Sequence, residues 1–449
     1  MQENTREIVL DTLLALERGE EFSHRLIKAV LDKYNYLEER DKAFIKRLTE
    51  GTIERQIELD YYLDQLSSVP VRKMKPLIRC LMRMSVYQLL YMDNVPDNAA
   101  CNEACKLAQK RRFGNLKGFV NGVLRNLARQ KDHLPLPDKD NNFREYLSVR
   151  YSMPLWLVQM WTEVYGSERT EDILRGLLAI HPVSFRFRSD LSEEEQSELV
   201  REMEAAGVRL HRVEFLPYLY TVENTENIAD LPGFAEGKFT VQDASCAMAV
   251  EAAEIRQGDM VLDICAAPGG KSILAAEKVG EKGQVVSRDV SEYKCELLRE
   301  NIIRMGMHNI TVEIHDATQP DRSWLQRADV VLADVPCSGL GVMGKKRDIK
   351  YRVTADDLAA VEALQRDILQ NSWDYVRPGG VLLYSTCTIN PAENEKMARW
   401  IVENFPFVLE EERQFLPGED EMDGFYYAKL RRKGAKDDGR QTGAKDESV

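Results

Sequence analysis

Five short apolar runs recur between residues 260 and 385: MVLDI (260–264), QVVSRDV (284–290), ITVEI (310–314), DVVLAD (329–334) and GVLLYS (380–385). Segments long enough to form helices separate them. Runs that stay apolar instead of alternating belong to strands covered on both faces, and a helical crossover is what joins parallel strands. The pattern predicts an α/β, Rossmann-like parallel sheet within residues 236–432. Ligands of such sheets bind beyond the carboxyl ends of the strands. The residues at those ends are therefore the first place to look for chemistry.

A chain of 449 residues exceeds one compact core, so further domains are expected. Residues 1–135 read as an all-α domain. In LKGFVNGVLRNL the residues Leu116, Phe119, Val120, Val123, Leu124 and Leu127 form one helical stripe. DHLPLPDKDNN (132–142) is rich in Pro, Asp and Asn and reads as a linker. Residues 143–235 mix strands (VSFRFR, LYTVEN) with a helix (SEEEQSELVREMEAAG) and read as a small α+β unit. Residues 433–449 are polar and Gly-bearing, as expected of a disordered tail.

The formal net charge is −13, which alone disfavours a polyanionic partner. Exposed charges act only over a Debye length, ~10 Å at 0.1 M salt, so local clusters count for more. Residues 105–131 hold no acid but include Lys110, Arg111, Arg112 and Arg125, and GKKRDIKYR adds Lys345, Lys346 and Arg347. These are candidate phosphate contacts for a nucleic acid. Eight cysteines are too few for a disulfide framework in so long a chain. Cys101 and Cys105, four apart, read as small core residues, and no metal site is expected. No apolar stretch has bilayer length, and the N-terminus lacks the basic-then-apolar order of a signal peptide. The chain reads as cytoplasmic, with no membrane partner.

VLDICAAPGGKS follows the first strand of the sheet. Its Ala266, Ala267, Gly269 and Gly270 let backbone approach a ligand closely, although the GxGxxG dinucleotide spacing is absent. The second strand ends in Asp289, placed to accept from ribose hydroxyls, and Asp316 follows the third. Each acid alone could simply cap the next helix. Together they favour a nucleoside-type cofactor, and without a Walker sequence S-adenosylmethionine fits better than a triphosphate.

The fourth and fifth strands end in ADVPCSG and STCT, bringing Cys337 and Cys387 to the same edge. A methyl donor beside a thiol suits carbon 5 of a pyrimidine, which becomes nucleophilic once a thiolate has added to carbon 6.

FTVQDAS, DICAAPGGK, DVPCSG and STCTINPAENE, in this order, resemble the RsmB/NOP family of RNA cytosine-C5 methyltransferases, and DGFYYAKLRR resembles its closing strand. FVNGVLRNLAR and its helical surroundings resemble the NusB-type RNA-binding domain. The fusion points to the bacterial branch acting on 16S rRNA, at the nucleotide the family numbers 967. The resemblance implies that Ala266, Ala267, Pro268, Gly269, Gly270 and Lys271 hold the methionine part of S-adenosylmethionine, Asp289 the ribose, and that Asp316 lies near the adenine. Asp334 would face cofactor and cytosine, Cys387 would be the nucleophile, and Cys337 would assist product release. It further implies a monomer acting on free 16S rRNA or an early assembly intermediate, with residues 1–135 binding RNA and residues 143–235 positioning it. The chain departs from the family at Arg347 and Tyr351, where Pro and Trp are usual.

Alternatives stay open from the sequence. Pro336-Cys337 matches the nucleophile pair of DNA cytosine-C5 methyltransferases, so the two thiols could exchange roles. The RNA could be a tRNA, or the chain a non-catalytic assembly factor. Ionisation of Cys387 needs help, which Lys271 or a helix N-terminus could supply. Cys80, Cys246, Cys265 and Cys295 read as inert core residues.

Overall fold

A computed structural model describes residues 4–434 except 20, 180, 181, 226 and 421. The expected tail from 435 onward therefore lies outside the described residues. The amide of Lys433, which precedes it, donates to the Pro406 carbonyl at 2.8 Å.

The chain divides into two units, Met1–Leu178 with Met343–Arg352, and Ala179–Val342 with Val353–Val449. The first is helical. Its helices include Thr5–Glu17, Glu39–Glu54, Pro76–Tyr91, Asp97–Lys110 and Lys117–Gln130. The predicted stripe holds: Val120, Val123, Leu124 and Leu127 are buried, together with Leu10, Leu48 and Leu81. Asn4 caps the first helix by accepting from the Arg6 and Glu7 amides, and Pro76 opens another without losing a needed donor. Gly51 lets helix Glu39–Glu54 approach Pro76–Tyr91, since a Cβ there would fall 2.0 Å from the Tyr87 ring. Cys101 and Cys105 are buried core residues. Residues 143–178, expected in the small α+β unit, instead form helices Phe143–Arg150, Leu155–Tyr165 and Ser167–Leu178 of this first unit.

Met343–Arg352 is a ten-residue strap from late in the sequence, held in the helical unit by buried polar groups. The Asp348 carboxylate accepts from the Ser23 amide at 3.0 Å and its hydroxyl at 2.5 Å. Tyr351 donates to the Glu54 carbonyl at 3.2 Å. Lys350 is buried, and its ammonium donates to the same carbonyl at 2.8 Å. Burial, partly offset by Glu54, pushes the Lys350 pKa down to about 7. An unfolded lysine titrates at ~10.4. Between these values the unfolded chain binds a proton that the folded chain does not, so stability rises with pH from about 7 to ~10.4. Lys350→Met is therefore expected to stabilise the protein at pH 7, by on the order of 2–4 kcal/mol, and to flatten the rise. Thermal unfolding at pH 7 and 9.5 checks this. Equal pH slopes in variant and parent would refute it.

The second unit contains two sheets. In the four-stranded sheet, β1 (Val183–Phe187), β2 (Arg209–Arg212), β3 (Leu219–Glu223) and β4 (Phe239–Val241) are antiparallel in the order β2-β3-β1-β4. Phe185, Phe187 and Phe239 pack against Leu199 and Met203 of helix Glu193–Ala205, whose start carries a Ser192/Glu195 capping box. Ser184 and Arg186, the intervening residues of β1, are also buried, so both faces are covered.

The larger sheet comprises β5 (Met260–Asp263), β6 (Gln284–Asp289), β7 (Ile310–Ile314), β8 (Ala328–Asp334), β9 (Val376–Thr386), β10 (Phe407–Phe415) and β11 (Phe425–Arg432), in the order β10-β11-β9-β8-β5-β6-β7. β5 to β9 are the predicted runs, and all are parallel. β11 inserts antiparallel between β9 and β10. Successive residues face opposite cores: Leu262, Val331 and Leu382 one, Val261, Val330 and Val381 the other. Among the described residues no helix is long and apolar enough to cross a membrane.

Candidate active site

β5 has β6 on one side and β8 on the other, so the strand order reverses there and leaves a crevice at the strand ends. The loop after β5 lines it. Its Ala266 amide donates to the Arg288 carbonyl at 2.8 Å, and the Gly269 amide to the Ala266 carbonyl at 2.8 Å. The Ala267–Pro268 peptide is cis. Gly269 has φ +106°, and a Cβ on it would fall 2.2 Å from Leu298 Cδ1. Only glycine suits both constraints. It opens helix Gly270–Val279.

Buried polar atoms around this cradle lack protein partners. Asp263 Oδ2 accepts from Ser272 Oγ at 2.7 Å, whereas its Oδ1 has no partner. Burial pushes the Asp263 pKa up to about 7. The side-chain amide nitrogen of Gln242 is likewise buried and unpartnered, 3.7 Å from where a Gly270 Cβ would stand. Such atoms fit a polar ligand such as the methionine end of S-adenosylmethionine. Asp289, buried at the tip of β6, accepts from the Ser291 amide at 3.1 Å. Asp316 is exposed and accepts from the Thr318 hydroxyl and amide, which hold its pKa below the usual carboxylate range.

β8 and β9 align Asp334 with Ser385. Asp334 Oδ1 accepts from Ser385 Oγ at 2.8 Å, and Oδ2 from Lys271 Nζ at 2.7 Å. Lys271 Nζ also lies 3.5 Å from Cys246 Sγ and 5.1 Å from the centre of the Phe425 ring. Burial opposes the charge on Lys271, but Asp334 and Cys246 outweigh it and raise its pKa. Cys246 is half-buried beside this ammonium and packs against the core that includes Ala249 and Val261; burial pushes its thiol up to about 12. Cys80 and Cys295 are buried, and Cys265 is half-buried with its pKa raised by burial.

Beyond Asp334 the two tip cysteines meet, with Cys337 Sγ 3.1 Å from Cys387 Sγ. The hydrogen bond to Cys387, with burial, raises the Cys337 pKa above the usual thiol range. Two ties fix the loops. The Gly341 amide donates to the Cys387 carbonyl at 3.1 Å, and Ser338 Oγ lies 2.8 Å from Thr388 Oγ1. Gly341 admits no side chain, because its Cβ would meet the Gly424 carbonyl at 2.0 Å.

Sequence reasoning passed over Asp263, Gln242, Ser385 and Glu393. Asp263 had a signal, as the polar last residue of an apolar strand; the others become visible only through contacts.

The basic candidates belong to the helical unit, where several are neutralised. Lys110 pairs with Glu7 at 2.5 Å, and Arg111 with Glu7 at 3.4 Å and Asp11 at 3.2 Å. Arg347 turns onto Glu50 at 3.2 Å and Glu54 at 3.0 Å. The acids lie far away in sequence, so a local charge count misses them. Arg112, Arg125, Lys345 and Lys346 are exposed.

The crevice, its glycine cradle and the polar atoms around it define an S-adenosylmethionine-dependent methyltransferase. Residues 250–431 match the family described as 16S rRNA methyltransferase RsmB/F, and residues 3–129 match the NusB family. The chain is 33% identical to "Probable ribosomal RNA small subunit methyltransferase B" of Bacillus subtilis (strain 168), over 96% of this chain and 99% of the relative. It is 32% identical to "Ribosomal RNA small subunit methyltransferase B" of Vibrio cholerae serotype O1, over 93% and 95%. A crystal structure of the protein PH0851 superposes with a TM-score of 0.79 at 26% identity, covering 96% of this chain and 100% of that one. The chain belongs to the ribosomal RNA small subunit methyltransferase B family.

Proposed function

We propose that the protein methylates carbon 5 of a cytosine in 16S rRNA, at the family's position 967, through a covalent Cys387–C6 intermediate. The observation that carries this reading is the pair of sulfurs 3.1 Å apart, brought together by the loops that follow β8 and β9. S-adenosylmethionine supplies the methyl group as a sulfonium. The Cys387 thiolate bonds to C6, and the C5=C6 electron pair moves to C5, which takes the methyl group. The C5 proton then leaves to a base, the C5=C6 bond re-forms, and the S–C6 bond breaks to return the thiolate. The Cys337 S–H steadies negative charge on the Cys387 sulfur before attack and again as that sulfur departs. Asp334 accepts from the cytosine N4 amine, while Asp289 and the 266–271 loop hold the cofactor, with Asp316 near its adenine. The base must leave its stack to reach the thiol.

The protein acts as a cytoplasmic monomer on free 16S rRNA or an early assembly intermediate, the helical unit supplying RNA contacts through Arg112, Arg125, Lys345 and Lys346. Incubation with methyl-labelled S-adenosylmethionine and 16S rRNA is expected to yield 5-methylcytosine at one position. A 5-fluorocytosine there should trap protein on RNA, because fluorine cannot leave as the proton does. N4-methylcytosine, or label on tRNA alone, would overturn the assignment.

A further inference from the structure

The carboxylate of Glu393 is completely buried and receives four hydrogen bonds. Its Oε1 accepts from Ser338 Oγ at 2.6 Å and Asn390 Nδ2 at 2.9 Å. Its Oε2 accepts from the Ser338 amide at 2.8 Å and Gln365 Nε2 at 3.1 Å. Gln365 Nε2 also donates to the Pro336 carbonyl at 2.9 Å. The chain is thus gripped on both sides of Cys337, at Ser338 directly and at Pro336 through Gln365. Asn390 brings the loop after Cys387 to the same carboxylate, and the Tyr384 hydroxyl, donating to the Glu393 carbonyl at 2.5 Å, fixes it to β9.

We infer that Glu393 is a positioning residue of the reaction: it holds the Cys337 sulfur against Cys387 and thereby governs resolution of the covalent intermediate. The inference rests on the two-thiol reading above. Hydrogen bonds to an ionised acceptor are stronger than those between neutral groups, and four on one carboxylate fix both loops to a common point. An amide in its place can accept through one oxygen only and turns an N–H₂ toward existing donors. Three of the four bonds grip the chain around Cys337, so its loop loosens most, while the Cys387 loop loses only the Asn390 bond and the cofactor cradle, on other strands, is untouched. Attack by Cys387 needs its own sulfur in place; departure of that sulfur needs the S–H donor beside it. Misplacement should therefore slow the second half of the reaction more than the first.

The test compares Glu393→Gln, Glu393→Asp and Ser338→Ala with Cys337→Ala and the parent, on natural 16S rRNA with labelled S-adenosylmethionine. Three quantities are read: methyl turnover, the fraction of protein in a denaturant-resistant RNA adduct, and S-adenosylhomocysteine binding by calorimetry. Glu393→Gln is expected to lower turnover roughly 10- to 100-fold, the scale on which small misplacements act. It should raise the adduct fraction toward that of Cys337→Ala and leave S-adenosylhomocysteine affinity within about twofold. Glu393→Asp and Ser338→Ala, which keep part of the network, should fall between. If Cys337→Ala accumulates adduct but Glu393→Gln and Ser338→Ala do not, the inference is overturned while the two-thiol reading stands. Loss of S-adenosylhomocysteine binding in step with turnover would make Glu393 merely structural. If Cys337→Ala itself traps no RNA, the two-thiol reading falls and this inference with it.

Discussion

Cys387→Ala is expected to abolish methylation and adduct formation together, whereas Cys337→Ala should leave the protein attached to its RNA. Removing a nucleophile from a cooperating group has an effect of roughly 10⁴- to 10⁶-fold, because no neighbouring side chain can replace the bond it makes. Cys337 is the nearest alternative, with its sulfur only 3.1 Å away, yet its own hydrogen bond and burial favour its protonated form. It is poorly suited to substitute as nucleophile and well suited to donate to a leaving thiolate. Without that donor the Cys387 sulfur departs less readily, and methylated RNA should remain bound through it. A denaturing gel of protein with labelled RNA reads both variants, and S-adenosylhomocysteine calorimetry shows whether the cofactor site survives. Trapped RNA from Cys387→Ala, with none from Cys337→Ala, would exchange the roles of the two thiols.

The strands β5, β8 and β9 were legible because both faces are buried along most of their length, which makes them largely apolar, while β6 and β7 kept short runs of Val and Ile. β10 was not: it is an edge strand, and Glu410, Glu411 and Glu412 break any apolar pattern. Edge strands carry charge to discourage pairing with other chains, so the feature that protects them also conceals them. β4 is three residues long, too short for a period to emerge. GKKRDIKYR (344–352) read as a basic cluster for phosphate contact, but Arg347 and Lys350 lie against Glu54, a partner nearly 300 positions away. The crevice followed the same division. Strand tips placed Asp289, Asp334, Cys337 and Cys387 in advance, because a parallel sheet puts successive carboxyl ends on one edge. The four donors on Glu393 come from two loops and a helix that meet only in the folded chain, and no spacing rule anticipates them.

Arg186 shows the same concealment with a large consequence for stability. Alternation along β1 would turn it toward water; instead it is completely buried, with Nη1 2.8 Å from both oxygens of Glu277 and Nε 2.6 Å from Gln242 Oε1. Glu277 lies on the helix that begins at Gly270, and its side chain is only 4% exposed. Arg186→Met is expected to destabilise the protein by about 3–5 kcal/mol, since an unpaired carboxylate would remain buried. Glu277→Leu alone should have a comparable effect by stranding the guanidinium. The double variant should recover much of the loss, because an apolar pair leaves neither charge uncompensated. A thermal-melt double-mutant cycle tests this, and simple additivity would show that the pair acts independently. Arg186 also orients Gln242, whose free amide nitrogen faces the first turn beyond the glycine cradle. Arg186→Met should therefore weaken S-adenosylhomocysteine binding as well. The double variant should regain stability without regaining that affinity, since methionine cannot donate to Gln242 Oε1. Recovery of both together would mean that the buried pair only props the fold and has no part in shaping the cofactor site.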